Sequence, residues 1–193
     1  MKYSLVTAPT SEPITSTEAK AQARITDTNS DTLIASYITA ARQAAEEYLG
    51  YGLYTQTWRY DLSEWADIIP LPMALQLQSI TSVNYYDADG TLQTLDASYY
   101  PTDTLARPAR IVRAADVSWP TLQADRLTGK IQITYVVGWS STASIPERIK
   151  QGIKMYVTYL DANRDGLDPD ADIPAPIRAC WSDRMYQLEP MCA

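Results

Sequence analysis

The chain has 193 residues, of which 46% are apolar, so it is long enough to bury one core of ordinary size. It contains no histidine, which excludes hydrolases that use an imidazole base and zinc sites with histidine ligands. The net charge of −7 is spread along the chain, so no basic face is expected and a protein that grips nucleic acid by its phosphates is disfavoured.

The sequence gives no sign of a membrane span or of export. No apolar run reaches the roughly 20 residues that a bilayer-spanning helix needs, and the first residues lack a charged and apolar leader. The two cysteines, Cys180 and Cys192, do not make a disulfide framework. We therefore expect a soluble protein assembled in a reducing cytoplasm, with no membrane partner.

The first 50 residues predict two helices. Thr15 and Glu18 have the spacing of a capping box, so a short helix is expected from there to about Arg24. Residues 30–50 carry the strongest helical signal, because their apolar side chains recur at steps of three and four. Gly50 supplies the permissive backbone that ends helices. A stripe of this length requires a buried partner.

After residue 54 the repeat changes to two residues, which is typical of strands. Trp58, Tyr60 and Leu62 alternate with polar side chains and predict a half-buried strand. Asp89-Gly90 lies between two strand-like runs and predicts a hairpin. Other strand-like segments are residues 79–87, 91–95, 98–100, 109–113 and 129–137, and residues 68–72 are expected at a sheet edge because of their prolines. The region as a whole is expected to be an antiparallel β region of about five or six strands.

Helical spacing returns at residue 146. The apolar stripe of residues 146–160 is expected to pack on the helix of residues 30–50. Pro174 and Pro176 open a last helix, which ends before Pro190.

The order of helices, strands and helices indicates an α+β fold. Residues 1–52 and 146–193 are expected to form one helical body, and residues 53–145 an inserted antiparallel β subdomain.

One loop matches a calcium motif in part. Asp161, Asn163, Asp165 and Gly166 fall at positions 1, 3, 5 and 6 of an EF-hand loop. Position 12 is Asp172, whose shorter arm makes the bidentate geometry of the usual Glu difficult. The favoured interpretation is a solvated acidic loop without a metal, and the alternative is a calcium-dependent binding module that uses this loop.

No constellation indicates catalysis. The neighbouring carboxylates of Asp87 and Asp89, or of Glu46 and Glu47, have no feature that would fix them around a pocket. The glycine-rich phosphate loops are also missing from the sequence. We therefore expect no catalytic residue, no cofactor and no enzyme activity.

The C-terminal segment carries candidate docking residues. Trp181, Arg184, Met185, Tyr186 and Leu188 form the mix of aromatic, methionine and arginine side chains that is enriched at protein interfaces. Too few residues follow to make an independent core. This apolar surface is expected to pack either on a partner or on its own subunit, and the sequence leaves both open.

With these residues in view, the chain resembles the head-to-tail connector proteins of tailed double-stranded DNA bacteriophages, also called adaptor or head-completion proteins. The resemblance covers nearly the whole length in the same order of elements. It departs from the pattern in the aspartate-rich loop of residues 165–172 and in the extended N-terminus. The matching segments are Ile14-Thr15 with Glu18-Ala19-Lys20, the helix 31–49 with Ala40-Ala41-Arg42 and Tyr48-Leu49, Thr55-Gln56-Thr57-Trp58, Leu71-Pro72, residues 79–83 with Tyr85, Trp119-Pro120, residues 131–138, and Ile145-Pro146 leading to Asn163-Arg164.

The resemblance implies a structural virion protein at the head-tail junction. It implies a homo-oligomeric ring of about 12 subunits beneath the portal, which completes the head and forms part of the channel for DNA ejection. The implied partners are the portal protein, a downstream tail or stopper protein, and DNA that passes through without sequence-specific binding. The family has no catalytic residues, and its C-terminal region is a candidate contact with the portal, the alternative being packing on its own subunit.

Overall fold

The computed structural model describes residues 2–26, 29–164 and 172–182, which divide between two compact units. The described residues of the first unit are 2–9 and 55–138, and this unit is built from strands. Those of the second unit are 10–26, 29–54, 139–164 and 172–182, and this unit is helical. The predicted α+β class is confirmed.

Within the described residues, the helical unit contains four α-helices. Their bounds are α1 Ser16–Ala23, α2 Asp31–Leu49, α3 Glu147–Ala162 and α4 Ala175–Trp181. Helix α3 packs against α1, α2 and α4, which confirms the predicted contact between α3 and α2. The buried face of α3 presents Ile149, Ile153 and Val157, and that of α2 presents Ile34 and Ile38. Among the helices of the described ranges, none combines the length and apolar character that a bilayer crossing requires.

The first helix begins with the predicted capping box. The Thr15 hydroxyl accepts a hydrogen bond from Glu18 N at 3.2 Å, and the Glu18 carboxylate accepts one from Thr15 N at 2.7 Å. The bond from the Thr15 backbone is the main cause that lowers the pKa of Glu18. Helix α2 starts without a side-chain cap at Ser30. Its first residue, Asp31, instead accepts from Lys20 Nζ at 2.6 Å, which ties the start of α2 to α1.

In the part of the chain that the structure describes, the β unit contains two antiparallel sheets with eight strands. The eight strands are β1 Lys2–Thr7, β2 Gln56–Leu62, β3 Ile68–Pro70, β4 Leu77–Tyr86, β5 Leu92–Thr94, β6 Thr102–Asp103, β7 Arg110–Val112 and β8 Ile131–Val137. The larger sheet has the order β1-β2-β8-β4-β5, so β8 is central and β1 and β5 are its edges. The smaller sheet has the order β3-β7-β6, which confirms that the proline-containing segment is an edge strand.

Two segments differ from the sequence-based predictions. Residues 2–7 pair with β2 as a strand, so residues 2–9 lie in the β unit and not with the helices. Residues 98–100 are not a strand, because Ala97–Tyr99 form a 3-10 helix. Asp96 starts this turn by accepting a hydrogen bond from Ser98 N at 2.9 Å. The hydrogen bonds from the Ser98 side chain and backbone lower the pKa of Asp96.

The larger sheet has one apolar and one polar face. The apolar face carries the buried side chains Tyr60, Ile133 and Val83, which are paired across β2, β8 and β4. On the same face, the buried Tyr135 hydroxyl donates to Pro72 O at 2.8 Å, and burial raises the pKa of Tyr135. A polar row crosses all five strands on the opposite face, through Lys2, Asp61, Gln132, Asn84 and Thr94.

Candidate interaction surfaces

Trp181, the first of the predicted docking residues, is buried in its own subunit. It ends α4, its side chain has 0% exposure, and its Nε1 donates to Ile149 O on α3 at 3.3 Å. Its ring also lies 5.9 Å from that of Tyr48 and 6.0 Å from that of Tyr156. Trp181 therefore joins α4 to α3 and offers no free surface. The other four candidates, Arg184, Met185, Tyr186 and Leu188, lie outside the described residues.

Gly152 allows the indole to lie this close to α3. A Cβ atom at this position would lie 2.3 Å from Trp181 Nε1, 2.8 Å from Trp181 Cδ1 and 3.0 Å from Cys180 Cβ. A contact below 3.0 Å requires one of the two groups to move. The Trp181 indole cannot move easily, because it is held by Ile149 O and by the rings of Tyr48 and Tyr156. The glycine is therefore required by packing, although glycine in the interior of a helix is unfavourable.

We expect Gly152→Ala to destabilise the protein. Alanine gains about 1 kcal/mol over glycine in a helix interior, whereas overpacking a filled core costs about 1–3 kcal/mol. The overlap with Trp181 makes the second effect the larger one, so urea unfolding of the full chain should show a net loss of stability. The matched control is Gly152→Ala in a Trp181→Ala background, where the alanine should be neutral or stabilising. An equal loss in both backgrounds would contradict this account.

The candidate calcium loop is described only at its two ends. The Asp161 carboxylate pairs with the Arg164 guanidinium, and Asp172 Oδ2 accepts from Arg178 Nη1 at 2.7 Å. Asn163 Nδ2 donates to Tyr159 O at 2.8 Å, as part of the end of α3. Asp165 lies outside the described residues. Residues 2–26, 29–164 and 172–182 contain no cluster of three or more side chains suited to a metal ion. Calcium binding by this loop stays a prediction.

A buried ion-pair network lies along α2. Arg42 and Glu46 are each only 6% exposed, and Arg42 Nη1 donates to Glu46 Oε2 at 2.7 Å. Arg42 Nε also donates to Glu12 Oε2 at 2.8 Å, and Glu46 Oε1 accepts from Leu53 N at 2.8 Å. The network thus ties the segment before α1 and the segment after α2 to the middle of the helix. Its signal in the sequence is an Arg–Glu pair four residues apart beside the apolar stripe.

Two of the four carboxylates that were considered for catalysis, those of Asp87 and Glu46, have structural roles, whereas Asp89 and Glu47 are exposed. Asp87 shapes the β4–β5 hairpin, because its Oδ1 accepts from Asp89 N at 3.1 Å and from Thr91 N at 2.9 Å. Its Oδ2 accepts from Gln93 Nε2 at 2.8 Å, and this bond is the main cause that lowers the pKa of Asp87. Asp89 is exposed at the tip of the turn, where no described side chain pairs with its carboxylate. Glu46 is held in the network on α2.

A basic pocket lies at one end of the larger sheet. Its volume is about 430 Å³, and its charged lining consists of Lys2, Arg59 and Arg126 with one carboxylate, Asp61. Arg59 Nε and Nη2 donate to the two oxygens of Asp61 at 2.8 and 3.2 Å. The Arg126 guanidinium lies over the Tyr86 ring, 3.7 Å from its centroid. Three cations against one carboxylate give the pocket an excess of two positive charges within an acidic protein.

This pocket was missed by the sequence analysis, which predicted no basic face. Its three cations lie far apart in the chain, on β1, on β2 and in the loop before β8. They meet because β1 pairs with β2 and β2 pairs with β8. Because these cations are not neighbours in the sequence, no run of Lys and Arg residues marks the pocket.

Comparison with known proteins agrees with the resemblance found in the sequence. Residues 14–89 match the family described as "Phage gp6-like head-tail connector protein", which confirms that resemblance for this part of the chain. No curated protein sequence matches the chain.

Similar folds occur in solved structures of a gene transfer agent (GTA) particle. A chain in the neck of the empty GTA particle, computed with C6 symmetry, has a TM-score of 0.78 at 20% identity. A chain of the native GTA virion has a TM-score of 0.76 at 20% identity, and one from the native neck, computed with C12 symmetry, 0.72 at 22%. Each comparison covers 100% of this chain and 98% of the other. At these identities the likeness establishes the fold.

Proposed function

We propose that this chain is a structural virion protein, a head-tail connector or adaptor that links the DNA-filled head of a phage-like particle to its tail. The observation that carries the proposal is the match of residues 14–89 to the head-tail connector family. The likeness in fold to chains of GTA necks, over the whole length, supports it. The protein would then lie at the head-tail junction of the virion, after assembly in the host cytoplasm.

The assembled form we propose is a ring of about 12 subunits beneath the portal. The C6 and C12 symmetries of the necks that contain similar chains support such a ring. The partners would be the portal protein on one side and a tail or stopper protein on the other. DNA would pass through the ring without sequence-specific binding, and the net charge of −7 favours this because like charges keep DNA from adhering to the wall.

We propose no enzyme activity for this protein. The carboxylates of Asp87 and Glu46 accept hydrogen bonds that hold a hairpin and a helix in place. Each of them therefore has a structural role. The function therefore depends on surfaces and on assembly.

Removing and restoring the protein in its own particle tests the proposal. Without this chain, DNA-filled heads and separate tails should accumulate, and the wild-type chain supplied in trans should restore joined particles. Electron microscopy with a gold label on the chain should place it between head and tail. Label at the distal tail, or normal joining without the chain, would contradict the connector function.

A further inference from the structure

The two free edges of the larger sheet carry opposite charges at the same end. On the β1 edge, Lys2 lies in the polar row that continues through Asp61, Gln132 and Asn84 to the β5 edge. The β4–β5 hairpin begins at Asp87, three residues beyond Asn84, which corresponds to about 10 Å along a strand. The basic pocket and the acidic hairpin therefore lie at one end of the sheet, and Lys2 and the hairpin at its opposite edges.

The two charged features are complementary. The pocket has an excess of positive charge, and no described side chain pairs with the Lys2 ammonium or with the Asp89 carboxylate. Residues 60–106, which include the hairpin, contain seven Asp and Glu residues and no Lys or Arg.

We propose that the pocket of Lys2, Arg59 and Arg126 receives Asp89 from a second copy of this chain. The inference rests on the proposed ring, since repetition of one edge-to-edge contact generates a ring when the rotation between copies closes. Exposed apolar side chains lie on the same two edges and would lose exposure to water on contact: Tyr3 and Leu5 on β1, exposed by 51% and 44%, and Leu92 on β5, exposed by 48%.

A second copy explains the pocket better than DNA does. A polyanion such as DNA brings several phosphates to a pocket whose lining includes the carboxylate of Asp61, and like charges repel. A single carboxylate on a hairpin brings one charge to the ammonium of Lys2. Asp87 is not the docking group, because its two oxygens are engaged within the hairpin.

A charge exchange tests the contact. The variants are Lys2→Glu, Asp89→Lys and the double variant of the full chain, with Asp116→Lys as the control because Asp116 is an exposed carboxylate elsewhere in the same unit. For wild type and each variant, the mass of the assembled species in solution is measured over a range of protein concentrations, with and without the portal protein of the same particle. Each single variant should weaken assembly at least tenfold, while the double variant restores it and the control matches wild type.

The outcomes separate this contact from the proposed function. If wild type and both single variants assemble equally well, the proposed contact in the pocket is wrong, and the proposed ring is unaffected. If wild type forms no ring alone or with portal, both are wrong. If Lys2→Glu weakens assembly and the double variant with Asp89→Lys does not restore it, another group occupies the pocket and the inference is wrong. If the wild-type chain binds a double-stranded oligonucleotide, and Lys2→Glu abolishes this binding without changing assembly, then DNA is the occupant and the inference is overturned.

Discussion

Trp181→Ala should lower the free energy of unfolding of the full chain by about 3–5 kcal/mol, the range for truncating a large buried aromatic side chain. Trp181 has 0% exposure and fills the space over Gly152, so α3 and α4 cannot close over the cavity without a shift of one helix. The hydrogen bond from its Nε1 to Ile149 O is lost as well. Urea unfolding monitored by circular dichroism measures the loss.

The control for this change is Leu105→Ala, which truncates a side chain that is 91% exposed and should change stability by less than about 0.5 kcal/mol. The experiment also distinguishes the two roles that the sequence left open for Trp181. A folded Trp181→Ala chain of normal stability that no longer joins heads would support docking by this side chain and contradict its role as a core residue.

Arg42→Ala should lower the free energy of unfolding by about 3–5 kcal/mol, because removing one partner of a buried ion pair leaves the other charge unpaired. Glu46 is 6% exposed and would keep the hydrogen bond from Leu53 N but lose its cation. Glu12 would lose the same guanidinium. The effect is measured by urea unfolding at neutral pH, where both carboxylates are ionised in the unfolded chain.

The double variant Arg42→Ala with Glu46→Gln isolates the effect of the buried charge, because it repeats the loss of packing in Arg42→Ala. It removes both charges and keeps an amide oxygen for Leu53 N, so it should be more stable than Arg42→Ala. Arg178→Ala is the exposed control, since the side chains of Arg178 and its partner Asp172 are 39% and 79% exposed and such pairs contribute about 0–1 kcal/mol. A double variant no more stable than Arg42→Ala would mean that the charge on Glu46 is not what destabilises that variant.

The helices were predictable because their signals are local. The stripe of α2 and the Thr15 capping box involve residues within a few positions of one another, and the structure has both. Strand β1 carried no such signal, since all six of its side chains are exposed and no burial pattern marks a strand. Its pairing with β2, 50 to 59 positions away, makes it a strand.

The candidate sites were less predictable because they depend on distant pairs. The Arg42–Glu46 spacing was visible in the sequence, but its burial depends on Glu12 and on the turn that brings Leu53 back to α2. The basic pocket depends on sheet order alone. Trp181 was identified as an important apolar residue, and the close approach at Gly152 shows that its neighbour is α3 of the same subunit.

The position of β8 constrains how the sheet forms during synthesis. Strands β2 and β4 do not pair with each other, and each is joined to the sheet through β8, which follows both in the chain. At about 5–20 residues per second, a ribosome completes β2 several seconds before β8. Until then β2 and β4 lack their shared partner, and such non-local pairing slows folding. A pause or truncation before residue 131 therefore leaves two apolar strands open to aggregation, whereas the same event after residue 137 leaves a sheet that can close.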